Sequence, residues 1–95
     1  GGTRNLKYIK SFGNHLRSLR LSKKLSQEDL AYNCGLPLSQ IGRFERGERS
    51  PTLSTMLVLS KGLDIEPKKL LDFDTKSKNN SHFRRRVIDL FGEYR

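Results

Sequence analysis

The sequence has one cysteine, no tryptophan and three prolines in 95 residues. Cys34 alone makes no internal disulfide, and with only His15 and His82 beside it there is no Cys/His set at zinc spacing. Stapling by disulfide or metal is excluded, so an apolar core has to hold the fold. No window approaches the roughly 18 consecutive apolar residues of a membrane span, and no apolar run follows the N-terminal charges. Neither membrane insertion nor secretion is indicated, and the chain reads as cytoplasmic. Also missing are a nucleophile beside a base, a carboxylate pair, a phosphate loop and a metal set, so an enzyme is not expected. No cofactor or small-molecule ligand is indicated. The aromatic platform on which single-strand readers stack bases is lacking too, which weighs against RNA.

Acidic residues are scarce. Ten Asp and Glu stand against nineteen Lys and Arg, leaving a formal charge of +9. Such an excess repels itself unless an anionic partner absorbs it, and nucleic acid is the first suspect. The length suits one small domain with tails. A hydrophobic content of 34% leaves pattern to decide between a lean globule and a partly disordered chain.

The pattern is helical throughout. Residues 1–11 read as a basic N-terminal arm or a cloning remnant, and Gly1 and Gly2 are set aside. Ile9, Phe12, Leu16 and Leu19 have the spacing of one helix face and predict a first helix over 10–23. Gly13 inside it costs about 1 kcal/mol relative to Ala, which implies close packing or a later start. Ser26, followed by Gln27, Glu28 and Asp29, is a helix start with acidic residues where the dipole favours them. The second helix is predicted over 27–34, with Leu30, Ala31 and Cys34 inward and Gly35 as its C-cap. Ile41 and Phe44 then form an apolar pair on a third helix, 38–46, closed by Gly47. Its other face carries Ser39, Gln40, Gly42, Arg43 and Arg46.

Gly, Ser and Pro51 make the next stretch a loop. A fourth helix is expected over 53–61, with Leu53, Met56, Leu57, Leu59 and Leu63 as a broad buried stripe. Pro67 opens a short fifth helix whose Leu70, Leu71 and Phe73 return to the core. No alternating strand pattern competes, so the fold class is all-α. A polar linker over 74–80 precedes a C-terminal amphipathic helix, on which Phe83, Val87, Leu90, Phe91 and Tyr94 share one face. His15 and His82 are expected in solvent, and Cys34 as a buried structural thiol.

Two short helices around a glycine-containing turn are the helix-turn-helix arrangement. The stretch LRLSKKLSQEDLAYNCGLPLSQIGRFERGERSPT resembles that of the Cro/repressor (xenobiotic-response-element type) family of transcription regulators, and the similarity extends over 12–73. The resemblance implies a compact five-helix lambda-repressor-like domain whose third helix enters the major groove of double-stranded DNA. It makes Leu38, Ser39, Gln40 and Arg43 the base-edge candidates. Gln27 is placed against the phosphate backbone, with Arg46, Arg49, Ser50 and Thr52 on the far side of the groove. Arg20 and Glu45 match positions that pair in some relatives. Gly42 and Leu38 depart from the family's pattern, so no relative's operator transfers.

The expected function is therefore a sequence-specific regulator, bound as a homodimer to a pseudo-palindromic operator, because one small module makes few base contacts. The alternative is an antitoxin or bridging module that uses Phe83, Val87, Leu90, Phe91 and Tyr94 to bind another protein. That face, or the fifth helix, is the expected dimer element. The three segments 1–11, 12–73 and 74–95 carry +3 each. Two thirds of the excess thus lies on the flanks, and Arg84, Arg85 and Arg86 suit either a solvated face or further DNA contact.

Overall fold

The computed structural model describes residues 6–73. Five helices follow in order: α1 (Leu6–Ser22), α2 (Gln27–Cys34), α3 (Leu38–Glu45), α4 (Leu53–Leu63) and α5 (Pro67–Leu71), with no strand among the described residues. The predicted C-terminal helix, with Phe83, Val87, Leu90, Phe91 and Tyr94, lies outside the described residues, as does His82.

The first helix starts earlier than its sequence signals. Residues from Leu6 onward are helical, and Ile9 is buried, so α1 takes in residues 6–11. Ile9 begins the buried face, and Leu6, one turn ahead of it, is exposed. Gly13 is explained by close packing. A Cβ at that position would lie 2.7 Å from the carbonyl oxygen of Glu45, because the end of α3 runs against α1 there.

Caps explain the breaks that follow. Ser26 Oγ accepts from the Asp29 backbone N–H at 2.9 Å, and Asp29 Oδ2 accepts from the Ser26 N–H at 2.9 Å, a reciprocal capping box. Gly35 ends α2 at φ 67°, a left-handed conformation open to glycine without a Cβ penalty. Thr52 Oγ1 accepts from the Thr55 N–H at 3.2 Å and starts α4. The buried core joins Phe12 and Leu16 of α1, Leu30 and Ala31 of α2, Ile41 and Phe44 of α3, Leu59 and Leu63 of α4, and Leu70 of α5. Leu19, Leu25, Cys34, Leu36, Met56, Ile65 and Phe73 pack against it from the rim.

Four expectations fail, each through tertiary geometry. Leu53 is 74% exposed and Leu57 49%. Helix α4 buries Leu59, Ser60, Gly62 and Leu63 instead, since α2 and α5 cover one side of it only. Leu71, next to the buried Leu70, is turned out by the helical rotation and is 61% exposed. Cys34 is only half-buried, its Sγ 3.6 Å from the Val58 carbonyl, and burial pushes its thiol pKa up against a smaller opposing hydrogen bond from Gly62. His15 is no free solvent group. Its Nε2 donates to the Lys69 carbonyl at 2.6 Å, and its ring lies 5.7 Å from that of Phe73.

Among the described residues no helix is long and apolar enough to cross a membrane, and no group of three or more His, Cys, Asp or Glu could hold a metal ion.

Candidate nucleic-acid interface

The α2–turn–α3 unit is tight because the turn closes back onto α2. The Leu36 N–H donates to the Ala31 carbonyl at 3.0 Å and the Gly35 N–H to the Tyr32 carbonyl at 3.2 Å. Pro37 then serves as N-cap of α3 in an extended conformation, with φ −62° and ψ 142°. Helix α3 is strongly two-sided. Ile41 and Phe44 are within 1% of complete burial. Leu38, Ser39 and Arg43 are exposed on the other side, and Gln40 is half-buried at its edge. All four base-edge candidates thus stand on one short helix whose back is locked to the core. An exposed helix of this width suits a groove about 12 Å wide.

Electrostatics fix that helix from behind. Arg20 Nε donates to Glu45 Oε2 at 2.6 Å and Nη2 donates to Oε1 at 3.0 Å, while Nη1 donates to the Leu25 carbonyl at 2.8 Å. The two side chains are only 8% and 3% exposed. A paired guanidinium and carboxylate with their polar atoms satisfied is tolerable in such a place. Gln27 joins this network, its Nε2 donating to Glu45 Oε1 at 3.0 Å. The amide expected against phosphate is therefore anchored on the protein side through one of its two N–H groups, which leaves the second N–H and the α2 N-terminus to meet an anion. Nothing in local spacing signals this link across 18 positions.

On the far side, Arg46, Arg49, Ser50 and Thr52 are all exposed. Two of the four already have partners. Thr52 Oγ1 donates to Thr55 Oγ1 at 3.0 Å in addition to capping α4. Arg46 Nε donates to Glu48 Oε2 at 2.8 Å and Nη2 to Oε1 at 3.3 Å. The hydrogen bond with Glu48 raises the Arg46 pKa, and the same bond holds the Glu48 carboxyl below its ordinary value, with the Arg43 charge adding in the same direction. Glu48 is a functional partner that no sequence motif marks. Its only signal was opposite charge two residues away in the Arg46–Gly47–Glu48 run. Gly47 turns the chain at φ 72°, and a Cβ on it would lie 2.9 Å from the Lys10 Cα, so the loop is seated on the start of α1.

A family model described as helix-turn-helix matches residues 16–70. The control protein C.BamHI of Bacillus amyloliquefaciens is 43% identical over 74 residues, which cover 77% of this chain and 89% of that protein. The control protein C.SmaI of Serratia marcescens is 47% identical over 57 residues, 60% of this chain and 68% of that protein. Among solved structures, the restriction-modification controller protein C.AhdI of Aeromonas hydrophila superposes with a TM-score of 0.65 at 48% identity, covering 66% of this chain and 96% of that one.

Proposed function

The chain belongs to the helix-turn-helix family, and on that premise we propose that it is a sequence-specific, double-stranded DNA-binding transcription regulator of the restriction-modification controller kind, working in the cytoplasm. The observation that carries this reading is α3 itself. An eight-residue helix buries Ile41 and Phe44 completely, is clamped at its end by Arg20 and Glu45, and presents Leu38, Ser39 and Arg43 to solvent. Rigid backing and a polar, cationic front are what base readout in a major groove requires. In this reading Leu38, Ser39, Gln40 and Arg43 meet base edges. Gln27, Arg49, Ser50 and Thr52 set the register on phosphates.

The regulator acts as a homodimer on two half-sites about one helical turn apart, roughly 34–36 Å. Leu53, Leu57 and Val58 leave an apolar strip on the uncovered side of α4, and Leu71 adds to the exposed apolar surface on α5. Strips of this kind favour association. Selection from a randomised duplex pool at moderate salt tests the regulator reading: recovery of a two-half-site motif supports it, and recovery of no motif defeats it. Sedimentation of the free protein tests the homodimer. A persistent monomer would favour a module that binds a different protein.

A further inference from the structure

Ser39, Gly42, Arg43 and Arg46 recur at i, i+3, i+4 and i+7 and therefore share one face of α3, on which Ser39, Arg43 and Arg46 are exposed and Gly42 is buried. Position 42 is the gap in that face. Arg46, the C-cap, sends its side chain back over the gap, so that a Cβ at Gly42 would lie 2.8 Å from Arg46 Nη1 and 3.6 Å from its Cζ. This is the direction long side chains take on helices, toward the N-terminus. The charged end of a last-turn residue thus arrives about one turn earlier, over position 42. Glu48 engages Nε and Nη2, and Nη1 is the nitrogen left over Gly42.

We propose that Arg46 is a specificity-determining arginine that reads a base edge, admitted to the DNA face by Gly42 and held in orientation by Glu48 as a positioning residue. The inference rests on the DNA-binding reading of α3. A contact to phosphate needs only a positive charge within reach, and a carboxylate beside that charge weakens it. An oriented guanidinium suits the O6 and N7 of guanine, where planarity and direction count for more than net charge. The pairing also orders a long side chain before binding, which lowers the ordering cost at the DNA.

The test is a scan of every single-base change in the duplex that the wild-type protein selects, repeated with Gly42→Ala, Arg46→Lys and Glu48→Gln. Gly42→Ala meets only the flexible end of Arg46, so its thermal midpoint should equal or exceed that of the wild type. Gly42→Ala and Arg46→Lys are expected to lose discrimination at one base position by about 5- to 150-fold, the ~1–3 kcal/mol of one bidentate base contact, with the other positions kept. Glu48→Gln should lose discrimination at that same position while steepening the salt dependence of affinity. Three variants that keep the wild-type preference at every position, with Arg46→Lys as good as Arg46, would overturn the inference alone and leave a phosphate contact. Failure of the wild type to select any motif would overturn the DNA-binding reading together with it.

Discussion

Arg20 grips both carboxylate oxygens of Glu45, at 2.6 and 3.0 Å, and so ties α1 to the last residue of α3 across 25 positions of sequence. Removing either partner strands the other charge in a site where the pair is less than a tenth exposed. Arg20→Ala or Glu45→Ala should each cost about 3–5 kcal/mol in urea unfolding. A double replacement by apolar residues of similar volume should recover much of that loss while DNA affinity stays low, because α3 and Gln27 lose their shared anchor. A single-variant cost below about 1 kcal/mol would show that the clamp contributes little.

Glycine to alanine should act in opposite directions at two positions. At Gly13 the new methyl meets the rigid backbone carbonyl of Glu45, so a loss of about 1–3 kcal/mol outweighs the gain in helix propensity. At Gly42 only a flexible side-chain end is in the way. Thermal denaturation of the two variants side by side checks the contrast, and equal shifts would refute it.

Stability should fall in acid through Asp29. Its carboxyl is held below the ordinary value of 3.8, first by the Ser26 backbone N–H and then by the Ser26 hydroxyl. A lowered folded-state pKa means that the stabilisation is present above the unfolded value and is lost as pH falls through the folded one. The thermal midpoint of the wild type should therefore drop below about pH 4, and Asp29→Asn should flatten that drop. Ser26→Ala removes the other half of the box and should cost about 0.5–2 kcal/mol at neutral pH.

Arg43 and Arg49 should separate reading from attraction. Arg43→Ala is expected to cost about 1–3 kcal/mol on the selected duplex and to relax preference at one base. Arg49→Ala should weaken all duplexes alike and reduce the salt slope by about one. Titrations of specific and scrambled duplexes at several salt concentrations decide between these roles.

Deleting residues 74–95 removes a net +3. Non-specific affinity should fall and its salt dependence flatten, with the preferred sequence unchanged. If affinity for the full operator collapses while that for a half-site holds, the deleted segment is the dimer element.

What the sequence determined by itself is local. Ser26 with Asp29, Gly35 and Pro67 mark helix ends because capping acts within one turn, and Ile41 with Phe44 marks the buried side of α3 because helical periodicity repeats every three to four residues. The order and type of the five helices, and the residues on the front of α3, follow from such signals. Tertiary structure decided the rest. A helix such as α4, whose apolar residues spread over more than one side, has no preferred side until α2 and α5 cover one, which is why Leu53 and Leu57 face solvent while Leu59 and Leu63 do not. Gln27 on Glu45 and His15 on Lys69 span 18 and 54 positions, beyond any local period. Whether Arg46 points away from its helix or lies back over Gly42 is likewise set by which neighbours are present, here the missing Cβ and the Glu48 carboxylate.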